Sequence, residues 1–334
     1  MAVRMSSGLT LPSFDDVLAA AGRLAHVAVR TPLLEAPELS AAAGGRVLVK
    51  PECLQRMGAF KFRGAYNAVS QIDGSVSPGG VTACSSGNHA QGMAEAARIC
   101  GLPAAIVMPA DAPRLKLART RGAGAEVVTY DRVTENREEI ADRLARERGA
   151  AFVPPYDHPH IIAGQGTVGL EIAEQAQAMG AEVDAVLVPC GGGGLVAGVG
   201  LAVRHEMPGA EVYAVEPAGF DDHARSLASG RRERNAALAG SICDALLAPT
   251  PGELTFALNR EQLAGALTVT DAEAKAAVRF AFEVLKLVVE PGGAVALAAL
   301  LAGRLPAEGR TVAIVLSGGN VDPDLYAEIL SRAC

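Results

Sequence analysis

Val81-Thr82-Ala83-Cys84-Ser85-Ser86-Gly87-Asn88-His89 is a short apolar run that passes into a polar loop. Residues 90–100 have a helical pattern, and 104–108 is a second apolar run, closed by Pro109. Apolar strands that alternate with helices of about ten to fifteen residues predict a parallel sheet covered by helices. This unit therefore decides the fold class, which is α/β.

The same alternation extends on both sides of this unit. Strands are predicted at 46–50, 81–84, 104–108, 126–129, 151–153, 185–188, 212–215 and 312–316, and helices at 13–24, 61–71, 90–100, 112–122, 134–148, 164–179, 196–205 and from 270 until Pro291 ends the last one. A chain of 334 residues suggests about two domains. We expect two doubly wound, open-sheet domains, with a turn or domain crossing at 74–80.

Composition excludes several classes of protein. The net charge is -7 and the Lys and Arg residues are scattered, so a nucleic-acid-binding surface is not indicated. The longest uncharged apolar stretch, 292–303, is too short to cross a bilayer, and the first thirty residues lack a secretory pattern. The six cysteines show no C-x-x-C spacing, so we treat them as buried hydrophobic residues. We expect a cytoplasmic protein that binds neither membrane nor nucleic acid.

Three loops built from small residues follow apolar strands, at 85–89, 190–195 and 317–320. Ligands bind beyond the carboxyl ends of strands in open α/β sheets, so these loops are expected to meet at one crevice. The four glycines Gly191 to Gly194 let backbone amides approach a phosphate at a helix start. A tight turn required by packing is the alternative. The same loop also fits G-x-G-x-x-A with Glu216 ending the next strand, which leaves a nicotinamide dehydrogenase open.

Another unusual stretch is Gly58-Ala59-Phe60-Lys61-Phe62-Arg63-Gly64-Ala65, where two phenylalanines bracket one lysine. An ammonium held against apolar rings loses hydration, which favours the neutral and nucleophilic amine. The alternative is a lysine whose stem packs on the rings while its head reaches water.

These stretches together resemble the four ordered motifs of the fold-type II pyridoxal-phosphate (PLP) enzymes. The motifs are 58–65, 85–89, 191–195 and 317–321, and the similarity is strongest to the branch of threonine/serine dehydratases (threonine ammonia-lyases) and serine racemases. The resemblance implies a tryptophan synthase beta-like fold. It further implies a large PLP-binding domain at 1–75 and 158–334 and a small domain at 76–157.

The resemblance assigns cofactor contacts to several residues. Lys61, which follows Phe60, would hold the cofactor as a Schiff base and then move the substrate α-proton. The amides of Gly191, Gly192, Gly193, Gly194 and Leu195 would bind the phosphate, and Asn88 the ring hydroxyl. Ser317 would face the pyridine nitrogen, which favours β-elimination over deeper carbanion chemistry. Glu290 would lie near the ring, although a carboxylate held by other contacts at a helix end is the alternative.

The substrate carboxylate would lie against Ser85, Ser86, Asn88 and His89, at a helix start that suits an anion. Ser86 is also placed like the racemase acid/base on the face opposite the lysine, and a simple N-cap serine is its alternative. His89 is expected to fix the loop, because Lys61 already serves as the base.

The segment 216–222 resembles the divalent-cation loop of racemases and related dehydratases. Glu216, the Phe220 carbonyl and Asp222 would supply hard oxygens to Mg²⁺ or Ca²⁺. Two solvated acids on a loop are the alternative. The pocket that selects the substrate side chain is expected within 129–137 and 220–241, with Arg137 as a candidate carboxylate ligand.

The sequence thus predicts a PLP-dependent carbon–oxygen lyase that converts L-threonine or L-serine to a 2-oxo acid and ammonia. Serine racemase and 3-hydroxyaspartate or phenylserine dehydratase stay open within the family. A nicotinamide dehydrogenase and a non-catalytic amino-acid-binding protein are the alternatives outside it. Related enzymes are commonly homodimers, so a homodimer is expected.

Overall fold

Two sheets, each covered by helices, form the framework of the chain. The structure is a computed structural model that describes residues 10–85, 87–112, 114–131 and 134–331, and for 114–116 it describes the backbone alone. Every strand pairs in parallel with its neighbours except β1, which runs antiparallel to β2 at one edge. This arrangement confirms the predicted α/β class with two open sheets.

The larger sheet has six strands in the order β1-β2-β10-β7-β8-β9. Its strands are β1 (Leu34–Glu35), β2 (Arg46–Pro51), β7 (Ala185–Pro189), β8 (Glu211–Pro217), β9 (Gly265–Val269) and β10 (Thr311–Leu316). The smaller sheet has the order β5-β4-β3-β6. It contains β3 (Val81–Cys84), β4 (Ala104–Pro109), β5 (Glu126–Tyr130) and β6 (Ala151–Phe152). The predicted division into domains at 76–157 stays a prediction.

Thirteen α-helices lie in the part of the chain that the structure describes. They are α1 (Phe14–Leu24), α2 (Pro37–Ala43), α3 (Lys61–Val69), α4 (Asn88–Cys100), α5 (Arg114–Gly122), α6 (Arg137–Arg148), α7 (Pro159–Ala178), α8 (Gly194–Glu206), α9 (Asp222–Ser229), α10 (Glu253–Gln262), α11 (Asp271–Glu283), α12 (Val295–Leu301) and α13 (Pro323–Ser331). None of the described helices is both long and apolar enough to span a membrane.

Local signals account for several helix ends, but some predicted ends were wrong; α7, for example, begins at Pro159 and not at Gly164. Ser13 and Asp16 form a capping box at the start of α1, and Thr270 and Glu273 form another before α11, as the sequence indicates. The helix α11, however, ends at Glu283, eight residues before Pro291, which was expected to end it. The elements β1, β9, α2, α9, α10, α12 and α13 were not predicted, because short or uniformly apolar segments show little periodicity.

A cluster of buried ion pairs fixes α3 beneath the crevice. Arg63 donates to Glu52 through Nε and Nη2, at 2.7 and 2.8 Å, and to Glu171 through Nη1 and Nη2, at 2.6 and 2.9 Å. Lys50 Nζ donates to Glu171 at 2.6 Å. Two cations therefore face two carboxylates out of contact with bulk water, and they tie α3 to α7 and β2.

Candidate active site

The three small-residue loops do meet, at a cleft between the carboxyl ends of β3, β7 and β10. The lining residues are Phe60, Lys61, Cys84, Ser85, Gly87, Asn88, His89, Arg137, Pro155, Tyr156, Pro189, Gly191, Gly192, Gly193, Gly194, Leu195, Asp244, Ala245, Leu246, Leu247, Ala248, Glu290 and Ser317. The open-sheet rule thus placed the crevice correctly, since strand ends of a parallel sheet share one edge.

Lys61 stands at the start of α3 with its amine in the cleft. Its Nζ donates to the carbonyl of Pro155 at 2.7 Å and lies 5.2 Å from the centre of the Phe60 ring. Burial lowers the pKa of Lys61 to about 8. The neutral amine, which is the form that attacks an aldehyde, is therefore more populated near neutral pH than in an ordinary lysine.

Backbone hydrogen bonds join the Lys61 segment to the motif that follows β10. The N–H of Phe60 donates to the Ser317 carbonyl at 3.1 Å, and the N–H of Gly319 donates to the Gly58 carbonyl at 2.9 Å. Gly58 itself has φ of 72°, a backbone conformation that suits glycine. Two motifs far apart in the chain are thereby held at one position of the cleft, with Ser317 at 4% exposure beside Lys61.

A chain of polar side chains crosses the cleft floor. Asn88 Nδ2 donates to Glu290 Oε1 at 2.6 Å, and Asn320 Nδ2 donates to Asn88 Oδ1 at 2.8 Å. A Cβ added to Gly318 would lie 2.3 Å from Glu290 Oε1, so the glycine is needed for this approach. Asn88 is therefore held in one orientation by partners on both sides.

The loop after β3 is ordered around His89. Burial, together with the charge of Lys61, lowers the pKa of His89 to about 3, so its ring is neutral. Its Nε2 lies 3.2 Å from the Val153 carbonyl, and a ring in this position fixes the loop. Ser85 Oγ accepts from the Gly87 N–H at 3.2 Å. Ser86, the predicted acid/base, lies outside the described residues.

The tetraglycine loop is packed tightly against neighbouring side chains. Gly193 has φ of 89°, and a Cβ there would lie 2.4 Å from His223 Nε2. A Cβ on Gly192 would lie 2.4 Å from the Tyr156 ring. Packing thus excludes side chains at these two glycines, as the tight-turn alternative requires, and the approach to a phosphate stays a prediction.

The inner side of this loop presents backbone donors to the cleft. The carbonyl of Gly192 accepts from Thr255 Oγ1 at 2.8 Å, on the side away from the cleft. Among the residues that the structure describes, none accepts a hydrogen bond from the N–H groups of Gly191 to Leu195. The helix α8 starts at Gly194, so its N-terminal partial charge adds to these donors. An amine nucleophile beside an anion cradle fits PLP, which carries an aldehyde and a phosphate.

The predicted cation ligands lie below the loop, at the end of β8 and the start of α9. Glu216 Oε1 and Oε2 accept from the backbone N–H groups of His223 and Ala224, both at 2.9 Å. Burial and the neighbouring Glu216 raise the pKa of Asp222 to about 7. The structure brings these two carboxylates together, and Phe220 is buried beside them.

The same contacts oppose a dinucleotide site. A dehydrogenase of this kind needs the acid at the end of β8 to reach a ribose. Glu216 is fully buried and both of its oxygens are bonded to α9. The geometry therefore does not support the nicotinamide dehydrogenase alternative.

Sequence reasoning misplaced part of the substrate pocket. Arg137 lines the cleft as proposed, but none of the described residues in 220–241 does so. Residues 244–248 line it instead, and Tyr156 forms part of its wall. The uncharged run after Asp244 was a weak signal for such a wall. The approach of Cys190 and His223 to Glu216 had no sequence signal at all.

Comparisons with known proteins agree with this geometry. The profile described as "Pyridoxal-phosphate dependent enzyme" matches residues 24–318. The L-threo-3-hydroxyaspartate ammonia-lyase of Saccharomyces cerevisiae is 43% identical over 97% of this chain and 98% of its own length. The serine racemase of Schizosaccharomyces pombe is 41% identical over 98% of this chain and 100% of its own.

A solved structure extends this agreement to the fold. The T.th. threonine deaminase superposes with a TM-score of 0.87 at 46% identity, covering 93% of this chain and 99% of that one. This similarity confirms the predicted PLP fold type II. The profile match and the full-length relatives place the chain in the family of pyridoxal-phosphate dependent enzymes, with pyridoxal phosphate as its cofactor.

Proposed function

We propose that this chain is an ammonia-lyase that converts a small β-hydroxy-α-amino acid, L-threonine or L-serine, to a 2-oxo acid and ammonia. The observation that carries the proposal is the half-buried amine of Lys61, of lowered pKa, beside a cradle of backbone N–H groups and near Ser317. The bound cofactor supplies an aldehyde that joins the substrate amine and a ring that draws electrons from the α-carbon.

Several residues of the cleft have a proposed role. Lys61 Nζ holds the cofactor, then removes the α-proton once the substrate has taken its place. The N–H groups of Gly191 to Leu195 hold the phosphate. Ser317 would lie toward the pyridine nitrogen, and a hydroxyl there would not keep that nitrogen protonated as a carboxylate would. The carboxyl of Glu290, held by Asn88, would lie near the ring.

The substrate carboxylate is proposed to lie against Ser85, Asn88 and His89, where α4 begins. The neutral ring of His89 acts as a fixed wall, since its lowered pKa keeps it from carrying protons near neutral pH. The role of Ser86 as the second acid/base stays a prediction, and with it the extent of racemisation. The cytoplasmic location and the homodimer also stay predictions.

A second candidate substrate is L-threo-3-hydroxyaspartate, and Arg137 favours it. Arg137 lines the cleft, and its ion-pair partner among the described residues is Glu138 at 4.0 Å, on the exposed side of α6. A second carboxylate on the substrate would give this cation a partner inside the cleft. The name of the yeast relative agrees with an acidic side chain.

The first test is at Lys61. The purified protein should be yellow, and borohydride should remove the colour and add the cofactor's mass at Lys61. The Lys61→Ala variant should lose both the visible band and ammonia release. A variant that keeps its turnover and visible spectrum refutes the proposal.

A substrate panel scored for ammonia and 2-oxo acid tests the specificity. If 3-hydroxyaspartate is the substrate, Arg137→Met should lower its kcat/KM by about 30-fold or more, as expected for losing a charge-paired contact. The same change should alter kcat/KM for threonine by less than about threefold. Equal losses for the two substrates would contradict a role for Arg137 in choosing the side chain. D-serine formed from L-serine without 2-oxo acid would identify a racemase instead.

A further inference from the structure

Three buried side chains with metal-binding atoms meet beneath the tetraglycine loop, and a fourth, Asp222, lies next to one of them, His223. They are Cys190 at the end of β7, Glu216 in β8, and Asp222 and His223 at the start of α9. One donor atom from each of Cys190, Glu216 and His223 lies within 4.8 Å of the other two. Each of the four residues is at most 1% exposed. This set includes two residues that the oxygen-only prediction did not use.

The two distances from His223 Nδ1 to the carboxylates are close to those between ligands of a tetrahedral ion. His223 Nδ1 lies 3.7 Å from Glu216 Oε1 and 3.9 Å from Asp222 Oδ2. Both separations are too long for a direct hydrogen bond. Ligands held about 2.0 to 2.3 Å from a tetrahedral ion are about 3.3 to 3.8 Å apart. Neighbouring ligands of an octahedral Mg²⁺, at about 2.1 Å, are only about 3.0 Å apart.

Two atoms of the group have no hydrogen-bond partner in the described part of the chain. They are Asp222 Oδ2 and His223 Nδ1, and both point into the protein interior. Buried polar atoms are nearly always bonded, because an unpaired one loses its hydration without replacement. A cation between the two atoms would satisfy both at once.

The outer contacts already hold these side chains in place. Asp222 Oδ1 accepts from Asn235 Nδ2 at 2.7 Å, and Glu216 is fixed by the backbone of α9. The amide of Asn259 lies 3.1 Å from His223 Nε2. The amide nitrogen Nδ2 faces this ring nitrogen, so metal binding through Nδ1 requires a rotation of the amide that turns its oxygen toward Nε2–H. Such outer partners are the usual support of metal-binding histidines and carboxylates.

We propose that Cys190, Glu216, Asp222 and His223 form a site for a divalent transition-metal ion of the zinc class, in place of an oxygen-only Mg²⁺ or Ca²⁺ site. A thiolate and an imidazole select such ions over Mg²⁺ and Ca²⁺, which prefer oxygen. On binding, the metal–sulfur bond replaces the S–H bond of Cys190, and the proton passes to solvent.

The ion would also brace the cofactor cradle. Cys190 directly precedes Gly191, and His223 Nε2 packs against Gly193 so closely that a Cβ there would lie at 2.4 Å. One ligand of the ion thus adjoins the loop in the chain, and another packs against it. Removing the metal should speed the loss of cofactor from the holoenzyme.

The visible spectrum of bound Co²⁺ reports both the coordination geometry of the ion and its ligation by sulfur. Neither readout depends on the proposed lyase reaction. The holoenzyme is stripped with a chelator, titrated with Co²⁺ and compared with the metal-free holoenzyme by difference spectroscopy. We expect the intense visible bands of tetrahedral Co²⁺ and a sulfur-to-cobalt charge-transfer band. Zinc, measured by elemental analysis after dialysis, should remain at about one ion per chain, with Mg²⁺ unable to displace it.

Substitutions of the proposed ligands test which residues bind the metal. Cys190→Ser should abolish the charge-transfer band, and His223→Asn should lower Co²⁺ affinity at least tenfold. Cys243→Ser, a change at another buried cysteine, should leave the spectrum unchanged. A weak octahedral cobalt spectrum in the wild type, or no retained metal, would overturn the proposal without any variant. A charge-transfer band that survives Cys190→Ser would also overturn it.

Discussion

Replacing Arg63 by Met should destabilise the protein far more than the same replacement of an exposed arginine. The guanidinium makes four hydrogen bonds to Glu52 and Glu171 and is 1% exposed. Lys50 still pairs with Glu171 in the variant, so Glu52 is the carboxylate left without its cation. Removing one partner of a buried ion pair costs about 3–5 kcal/mol, which is a large part of a typical stability of about 5–15 kcal/mol.

The penalty should depend on pH, because it arises from a carboxylate. Burial raises the pKa of Glu52, but Arg63 outweighs this and holds the pKa below its usual value. In the native protein, ionised Glu52 therefore contributes stability at pH values above its pKa in the unfolded chain. This contribution is lost as the pH falls through the pKa of Glu52 in the folded protein. Without Arg63 the remaining burial raises the folded pKa. The variant then loses stability as pH rises, and its deficit should be larger at pH about 8 than at pH about 5.5.

Urea unfolding at the two pH values measures both effects. Arg146→Met is the matched control, because Arg146 pairs with Asp142 on the exposed face of α6 and its loss should cost less than about 1 kcal/mol. Adding Glu52→Gln to Arg63→Met should restore at least about 1 kcal/mol, since the unpaired charge is removed. A loss below about 1 kcal/mol for Arg63→Met, or a loss equal at both pH values, would refute this account of the cluster.

Two further predictions concern the cofactor. Gly193→Ala combines a φ of 89° with a Cβ 2.4 Å from His223, so cofactor retained after gel filtration should fall at least several-fold. Gly303→Ala, with φ of 64° and nothing within 4 Å, should retain its cofactor, and equal losses in the two variants would contradict the steric argument. The rate at which cofactor-free protein takes up PLP should rise through pH about 8 and then level off, because Lys61 has a lowered pKa near this value. A rate that does not change between pH about 7 and 9, followed by absorbance, would show that the neutral amine does not limit uptake.

The sequence by itself determined the α/β class, the parallel sheet and the succession of most strands and helices along the chain. Strands and helices with clear periods, such as β3, α4 and β4, were predicted within a few residues, because their patterns are local. The four motifs also placed the lysine, the glycine loop and Asn88 at one cleft, since strand ends of a parallel sheet lie on a common edge. Capping boxes at Ser13 and Thr270 were readable for the same local reason.

Only the tertiary structure decided which distant residues touch. The partners of Lys61 and Arg63, Pro155 and Glu171, lie 94 and 108 positions away along the chain, and no local pattern encodes such pairs. Cys190 looked like an ordinary buried residue until β7, β8 and α9 brought it to Glu216 and His223. Residues 244–248 line the cleft because the folded chain places them beside the glycine loop. Periodicity fixes each segment's own conformation, whereas burial and pairing depend on the packing of all segments together.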